Sequence, residues 1–192
     1  MNVLGFPESP PAYRSRWILA HPAQSAWELG RHFALRTEVF VHEQGLFREH
    51  DRDVHDDHAV AIVALSTSAG VPTDVIGTVR VYEAEPGIWY GGRLAVTADY
   101  RRCREVGGAL TRAAVGSARG WGATRFLATV QRENEAFFTR YHFHTLRAVE
   151  LYGRPHCLME AQLSAFAVPA WCSAVRSGRT RTDYRTVREP AA

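Results

Sequence analysis

The stretch Trp89–Leu110, WYGGRLAVTADYRRCREVGGAL, decides how this chain folds. Its first half has the aromatic and β-branched residues of a strand, and from Val106 onward apolar residues recur at helical spacing. Arginines at positions 101, 102 and 104 precede Gly107 and Gly108, so the order is strand, basic loop, helix. Because a helix N-terminus offers unpaired N–H groups and a positive dipole end, this junction predicts a phosphate site.

Two common phosphate loops are excluded. A P-loop requires a Lys followed by Ser or Thr, and the chain contains no Lys. A dinucleotide fold requires three spaced glycines, which this junction lacks. The run Arg102–Gly107 instead resembles the pyrophosphate loop of the GNAT acyltransferases, which bind acetyl-CoA through a strand, this loop and the following helix. One departure is Glu105, which stands where the family usually has its first glycine.

This resemblance implies an α/β fold with a mixed, mostly antiparallel central sheet, splayed between its fourth and fifth strands and flanked by helices. A second match supports it, because residues 131–143 resemble the family's segment whose helix packs beside CoA. The acetyl-CoA site implied by the resemblance comprises Leu94, Ala95, Val96, Arg101, Arg102, Arg104, Val106, Gly107, Gly108, Ala109, Asn134 and Phe138.

Composition favours one globular domain. The chain has 192 residues, of which 46% are apolar and 22% charged, which suits a single sizeable core. We expect a loose lead-in over residues 1–15, the acetyltransferase domain over 16–163, and a C-terminal extension over 164–192 that is mobile from about residue 176. The segments 59–66, 75–83 and 88–96 predict an antiparallel meander, because their connections are too short for parallel crossovers.

Charge and cysteine content limit the compartment and the partners. The net charge is +3 and all 23 basic residues are Arg, which predicts weak attraction to anionic ligands and makes nucleic acid an unfavoured partner. Three cysteines suggest neither a disulfide framework nor a zinc site. No signal peptide or membrane span is recognisable, so we expect a cytoplasmic protein without a membrane partner, and a homodimer stays open.

The acceptor side is expected near the N-terminus. The run Arg36–Gly45 resembles a segment of one GNAT branch and, more loosely, of acyl-homoserine-lactone synthases, in which it faces the acceptor. The polar loop 48–58 holds four Asp and three His within nine residues, but its spacing fits no common metal motif, so a solvated or acceptor-binding loop is favoured and no metal is predicted. The acceptor contacts expected are Arg36, Glu43, Asp56, His58, Gly92 and Arg93; a solvated helix face with a surface ion pair is the alternative for Arg36 and Glu43.

The sequence defines the catalytic residues less clearly than the acetyl-CoA and acceptor contacts. Counting back from Val96 puts Tyr90 where many GNAT enzymes carry a catalytic carboxylate or His, and strand alternation predicts that Tyr90, Gly92, Leu94 and Val96 share one face. A phenol is a poor base at neutral pH, so Glu83 is the expected base and Tyr90 an acid or substrate anchor. Tyr141 is a second acid candidate, with core packing as its alternative.

Several runs point to a narrower branch. Residues 53–58, 82–94, 126–131 and 153–159 resemble a bacterial GNAT branch named for nitrogen starvation and associated with nitrilase genes. The implied reaction is acetyl transfer from acetyl-CoA to a small-molecule amine by direct attack in a ternary complex. The alternatives are a non-catalytic acyl-CoA-binding regulatory domain and an acyltransferase resembling the acyl-homoserine-lactone synthases.

Overall fold

The computed structural model describes residues 18–68, 71–102 and 104–172. Seven strands form one sheet: β1 Ile18–Pro22, β2 Val60–Ser68, β3 Val71–Glu85, β4 Ile88–Val96, β5 Arg125–Gln131, β6 Phe143–Leu151 and β7 Arg154–Ala161. Three α-helices accompany them: α1 Ala26–Thr37, α2 Arg104–Gly120 and α3 Glu135–Arg140. None of the helices described is long and apolar enough to cross a membrane. The predicted lead-in at 1–15 and the predicted mobile tail from about 176 lie outside the described residues.

The sheet has the order β1-β2-β3-β4-β5-β7-β6. Strands β4 and β5 run parallel, whereas every other neighbouring pair is antiparallel. The chain must therefore cross over between β4 and β5, and α2 is that crossover. The predicted mixed, mostly antiparallel sheet flanked by helices is confirmed, as is the meander of β2, β3 and β4.

Local sequence explains where the helices begin. Ser25 caps α1: its hydroxyl accepts the Glu28 N–H at 3.2 Å, and the Glu28 carboxylate accepts the Ser25 N–H at 3.1 Å. A single π-helical turn, Glu38–Glu43, continues α1. Helix α2 contains the run from Val106 onward whose apolar spacing predicts a helix, and its Val106 and Leu110 are fully buried against the sheet.

Two of the apolar clusters among the described residues lie on opposite faces of the sheet. The larger one lies under α2 and includes Val81, Leu110 and Phe126. The smaller one lies under α1 and the π-helical turn, where Leu35, Val39 and Phe40 pack on Ala95. Each helix layer therefore covers one sheet face.

A bulge in β4 overturns the predicted alternation. Thr78 of β3 pairs with Ala95, and Arg80 pairs with Gly92. Between these two pairs β3 advances by two positions and β4 by three, so β4 carries one extra residue. Arg93 within the bulge has a φ of +55°. The expectation that Tyr90, Gly92, Leu94 and Val96 share one face is wrong. An extra residue inverts the alternation, so that Leu94 and Val96 pack toward α2 while Ala95 packs toward α1.

The beginning of the C-terminal extension packs on the back of α2. Phe166 and Cys172 are buried, and the Trp171 indole N–H donates to the Ser117 hydroxyl at 3.1 Å. A side chain at Gly116 would collide with the Ala167 carbonyl oxygen, which explains the glycine at this close approach. The apolar part of the extension thus belongs to the domain core.

Candidate functional site

The candidate site lies where β4 and β5 separate. The two strands pair from Ile88 with Arg125 to Gly91 with Ala128, and no pairing continues past that point. The gap beyond opens into a cavity of about 440 Å³. Residues from both sheet faces line it, since Val79 and Val115 belong to the cluster under α2 and Val39 to the cluster under α1. The cavity therefore connects the two faces of the sheet through the gap.

The side toward α2 carries most of the residues predicted for acetyl-CoA. Those that line the cavity are Leu94, Ala95, Val96, Arg101, Arg104, Gly107, Asn134 and Phe138. Four of the predicted set do not line it: Arg102 is exposed, Val106 is buried in the core, Gly108 is buried and Ala109 is half-buried. Glu105 is exposed and is also absent from the lining.

The start of α2 is tied to its surroundings by Arg101. Its Nε donates to the Val96 carbonyl oxygen at 2.9 Å, and its Nη2 donates to the Glu43 carboxylate at 2.7 Å. Glu43, predicted to contact the acceptor, is thus an ion-pair partner of the loop expected to bind the pyrophosphate. Gly107 keeps this end of α2 close to α3, because a Cβ there would lie 3.0 Å from Cζ of Phe137.

Tyr141 packs rather than facing the cavity. Its ring lies directly over Gly108, where any Cβ would collide with it, and 4.8 Å from the ring of Phe137. Tyr141 is not among the residues that line the cavity. The predicted alternative of core packing describes its place, and the role of Tyr141 as an acid stays a prediction.

The side toward α1 is closed by contacts that bridge the two halves of the sheet. The Gln44 side-chain oxygen accepts a hydrogen bond from the Gln131 side-chain amide at 3.1 Å. The backbone carbonyl oxygen of Gln44 accepts one from the Arg154 guanidinium at 3.0 Å. The rings of Phe47 and Tyr152 meet edge to face at 5.1 Å. These residues except Arg154 line the cavity, so this compartment combines aromatic rings with two amide side chains.

A buried ion cluster supports the α1 side. Arg36 is 0% exposed, and it donates to Asp51 at 2.8 Å and to Asp56 at 2.6 and 2.9 Å. Arg80 pairs with Asp53 at 2.6 Å and with Asp56 at 2.9 Å. Three Asp from one loop thereby neutralise Arg36, Arg80 and a third arginine described next.

Arg93 joins this cluster from the β4 bulge. Its guanidinium lies 3.1 Å from Asp51 Oδ2 and 3.3 Å from Asp53 Oδ2, and it stacks 4.8 Å from the centre of the Phe47 ring. Arg93 and Gly92 both line the cavity, as predicted acceptor contacts would. The cluster therefore anchors the bulge to the loop at residues 51–56.

The alternative reading of Arg36 as part of a solvated helix face is wrong. Its guanidinium is enclosed by α1, β3 and the loop, and neither Arg36 nor Asp56 lines the cavity. A charge buried this deeply is stable only when it is paired, which accounts for the Asp content of the loop. No group of three or more metal-ligating side chains occurs among the described residues.

Charge and burial shift the ionisation of this cluster. Burial first, and the Arg36 guanidinium second, lower the pKa of His32 to about 3. His32 Nε2 accepts from Arg36 at 3.0 Å while Nδ1 bonds the Thr78 hydroxyl. Burial alone would raise the pKa of Asp56, but hydrogen bonds from Arg36 hold it well below its usual range.

The remaining predicted residues lie toward the β3–β4 hairpin. Tyr90 stacks on Tyr82 at 5.8 Å, Tyr82 stacks on His55 at 4.3 Å, and the exposed His58 meets Tyr82 edge-on. The Glu83 carboxylate accepts the Gly87 N–H at 2.9 Å across the hairpin. None of these side chains lines the cavity, so the structure does not bring Glu83, Tyr90 or His58 to it.

Sequence reasoning missed His156, a buried histidine of β7 that lines the cavity. His156 lies within residues 153–159, one of the runs that resemble the nitrogen-starvation branch, but that resemblance assigns no role to the histidine. Its position becomes evident only from the sheet register, which pairs His156 with Gln131 of β5. No local sequence pattern could have shown this pairing, because the strands are separated by α3 and β6.

Comparison with known proteins supports this geometry. A family model described as the acetyltransferase (GNAT) family matches residues 26–143. A Lactobacillus plantarum protein classed with the N-acetyltransferases is 24% identical, with a TM-score of 0.66 over 76% of this chain and 98% of that chain. ElaA from Escherichia coli is 19% identical, with a TM-score of 0.62 over 76% of this chain and 99% of that chain.

Acyl-homoserine lactone synthases also share the fold. The CoA-dependent synthase BjaI, solved with SAM and isopentyl-CoA, is 18% identical, with a TM-score of 0.57 over 83% of this chain and 87% of that chain. No curated protein sequence matches significantly. Identities this low show a shared fold alone, and the predicted α/β acyltransferase fold is confirmed.

Proposed function

This chain belongs to the acetyltransferase (GNAT) family, and from that premise we propose that it transfers an acetyl group from acetyl-CoA to the amine of a small molecule. The observation that carries the proposal is the cavity that passes between β4 and β5. Its lining comes from both faces of the sheet, so a donor on one face and an acceptor on the other could meet in the gap. Direct attack requires such a site, because both substrates must be bound at once with their reacting atoms in contact.

The α2 side fits an acyl-CoA. Arg101 and Arg104 line the cavity near the start of α2, where the helix dipole and unpaired N–H groups would favour a pyrophosphate. The edge of β4 that faces the gap beyond Gly91 has lost its pairing with β5, so its backbone could pair with the amide groups of pantetheine. When bound, the thioester supplies an activated acyl carbon; the chain's residues orient it and bind the acceptor.

The position of Glu105 is compatible with acyl-CoA binding. This residue departs from the family pattern and would repel a pyrophosphate if it faced the site. It is exposed and does not line the cavity, so it leaves the donor side positively charged.

The experiment is a turnover assay with the full chain. Acetyl-CoA is incubated with a panel of small amines, and free thiol and acetylated product are measured together. We expect amine-dependent thiol release with one acetylated amine formed per thiol. Thiol release without an amine, or acetyl-CoA binding without any turnover, would contradict the proposal.

Two variations of the assay separate the alternatives. Replacing acetyl-CoA by isopentyl-CoA, the ligand solved with BjaI, measures acyl-chain preference. Adding S-adenosylmethionine tests the synthase-like alternative, which requires it as the acceptor. Assignment to the nitrogen-starvation branch, a role in nitrogen metabolism, a cytoplasmic location and a homodimer stay predictions.

A further inference from the structure

His156 is a buried titratable side chain with one ring nitrogen hydrogen-bonded to the backbone. It is 6% exposed and lines the cavity. Its Nδ1 lies 2.9 Å from the Arg154 carbonyl oxygen. A carbonyl oxygen only accepts, so Nδ1 carries the proton, and the neutral ring has its lone pair on Nε2. No described residue hydrogen-bonds Nε2.

The sheet places His156 on the acceptor side. Cys157 and Met159, two positions apart on the same strand, both belong to the cluster under α2. His156 does not belong to that cluster. His156 pairs across the sheet with Gln131, whose amide reaches Gln44 on the α1 side. The imidazole therefore shares the α1 compartment with Gln44, Gln131 and the bulge of β4.

The other charged residues of the cavity are unsuited to accept a proton from an acceptor amine. Arg93, Arg101 and Arg104 stay protonated. Glu133 is the one carboxylate among the described lining residues, and it lies in the turn before α3, beside Asn134 on the donor side. Tyr152 is a phenol, which is a poor base at neutral pH. His156 is left as the group with an available lone pair.

We propose that His156 is the general base of the acyl transfer, an assignment that rests on the proposed function. Nε2 takes one proton from the ammonium group of the acceptor. The freed nitrogen lone pair forms the C–N bond with the thioester carbonyl carbon as the C–S bond breaks. A second nitrogen proton passes to the departing thiolate, so CoA leaves as the free thiol, and His156 returns its proton to solvent.

The principal test is His156→Asn. An Asn side chain keeps an N–H that can donate to the Arg154 carbonyl oxygen but has no basic nitrogen. We expect kcat to fall by at least ~100-fold, with acetyl-CoA affinity, measured by calorimetry, within about 3-fold of the wild type. The matched control is His144→Gln on β6, whose side chain is mostly exposed and lies outside the cavity; it should turn over normally.

The pH profile separates a base from a structural residue. For the wild type, kcat/KM should fall toward acidic pH as the imidazole lone pair is lost, and this fall should be absent from His156→Asn. Added imidazole should restore part of the activity of His156→Ala. If the Asn variant unfolds, His156→Gln takes its place in the same measurements.

The outcomes distinguish this inference from the proposed function. If the wild type acetylates no amine, the proposed function fails and the base assignment fails with it. If the wild type is active and a folded His156 variant keeps a normal kcat, only the base assignment is overturned. A 100-fold loss in Glu83→Gln with none in His156→Asn would move the base to the hairpin.

Discussion

Two arginine clusters flank the cavity, and they differ in what surrounds their charge. Arg36, Arg80 and Arg93 lie under α1, where three Asp side chains of one loop neutralise them. The arginines at positions 101, 102 and 104 lie at the start of α2 and are exposed. Glu43 pairs with Arg101, and Arg101 and Arg104 line the cavity on the side toward α2.

The comparison shows that the same residue type has two physical roles here. In the inner cluster, which comprises Arg36, Arg80 and Arg93, the guanidinium groups cross-link α1, β3 and β4 through carboxylates. Removing one of them would leave buried charges unpaired. In the outer cluster, which comprises Arg101, Arg102 and Arg104, the guanidinium groups remain accessible to an anion. For attraction of an anion, the number of these groups matters more than their packing. Inner-cluster changes should therefore act on stability and outer-cluster changes on ligand affinity.

The largest expected effect is in the inner cluster. Arg36→Met should lower the free energy of unfolding by about 3–5 kcal/mol, because Asp51 and Asp56 lose a buried partner. Arg31→Met, on the same helix, removes an exposed ion pair with Asp74 and should cost about 1 kcal/mol or less. Urea unfolding of both variants measures the difference, and equal losses would show that burial does not separate the two arginines.

The next effect concerns the outer cluster. Gly107→Glu should weaken acetyl-CoA binding by at least ~100-fold, because it adds a carboxylate to the donor side of the cavity and crowds Phe137. Gly30→Glu on α1 is the control, since nothing lies within 4 Å of a Cβ placed there. Calorimetric titration measures affinity, and circular dichroism confirms folding. Unchanged affinity in a folded Gly107→Glu protein would remove the donor site from the start of α2.

The smallest expected effect is the decline in stability that His32, which contacts the inner cluster, produces between about pH 6 and pH 4.5. His32 has a folded pKa of about 3, whereas its unfolded value is about 6.5, so between these values the unfolded state binds the extra proton. Its contribution to stability is complete above about pH 6.5 and decreases by up to about 1.4 kcal/mol per pH unit as the pH falls toward 3.

Unfolding curves at several pH values test this dependence. His32→Gln should flatten the decline between about pH 6 and pH 4.5, since Gln can still bond Arg36 and Thr78 but does not titrate. Asp53 and Asp56, whose pKa values are lowered, contribute in the same direction only at more acidic pH. Parallel curves for the wild type and His32→Gln would show that His32 is not the group responsible.

The fold and the donor side could be predicted from sequence because their determinants are local. The strand, basic loop and helix over residues 89–110 are contiguous, so apolar periodicity and the glycines at 107 and 108 were sufficient to locate α2 and the cavity lining beside it. The catalytic residues could not be predicted from one contiguous stretch of sequence in this way. Tyr90 was predicted by counting back along a regular strand, and the bulge at Gly92–Arg93 invalidates that count. Glu83 was predicted as the base only because a phenol is a poor one.

The amino-acid sequence by itself determined the order of elements and the basic start of α2, because hydrophobic periodicity and helix-terminus chemistry act over a few residues. Only the tertiary structure decided which arginines are buried and which histidine reaches the cavity. Arg36 is neutralised by Asp51, 15 positions away, and His156 meets Gln131 through strand pairing. Burial and cross-strand register arise from contacts between distant segments, which the spacing of residues along the chain does not contain.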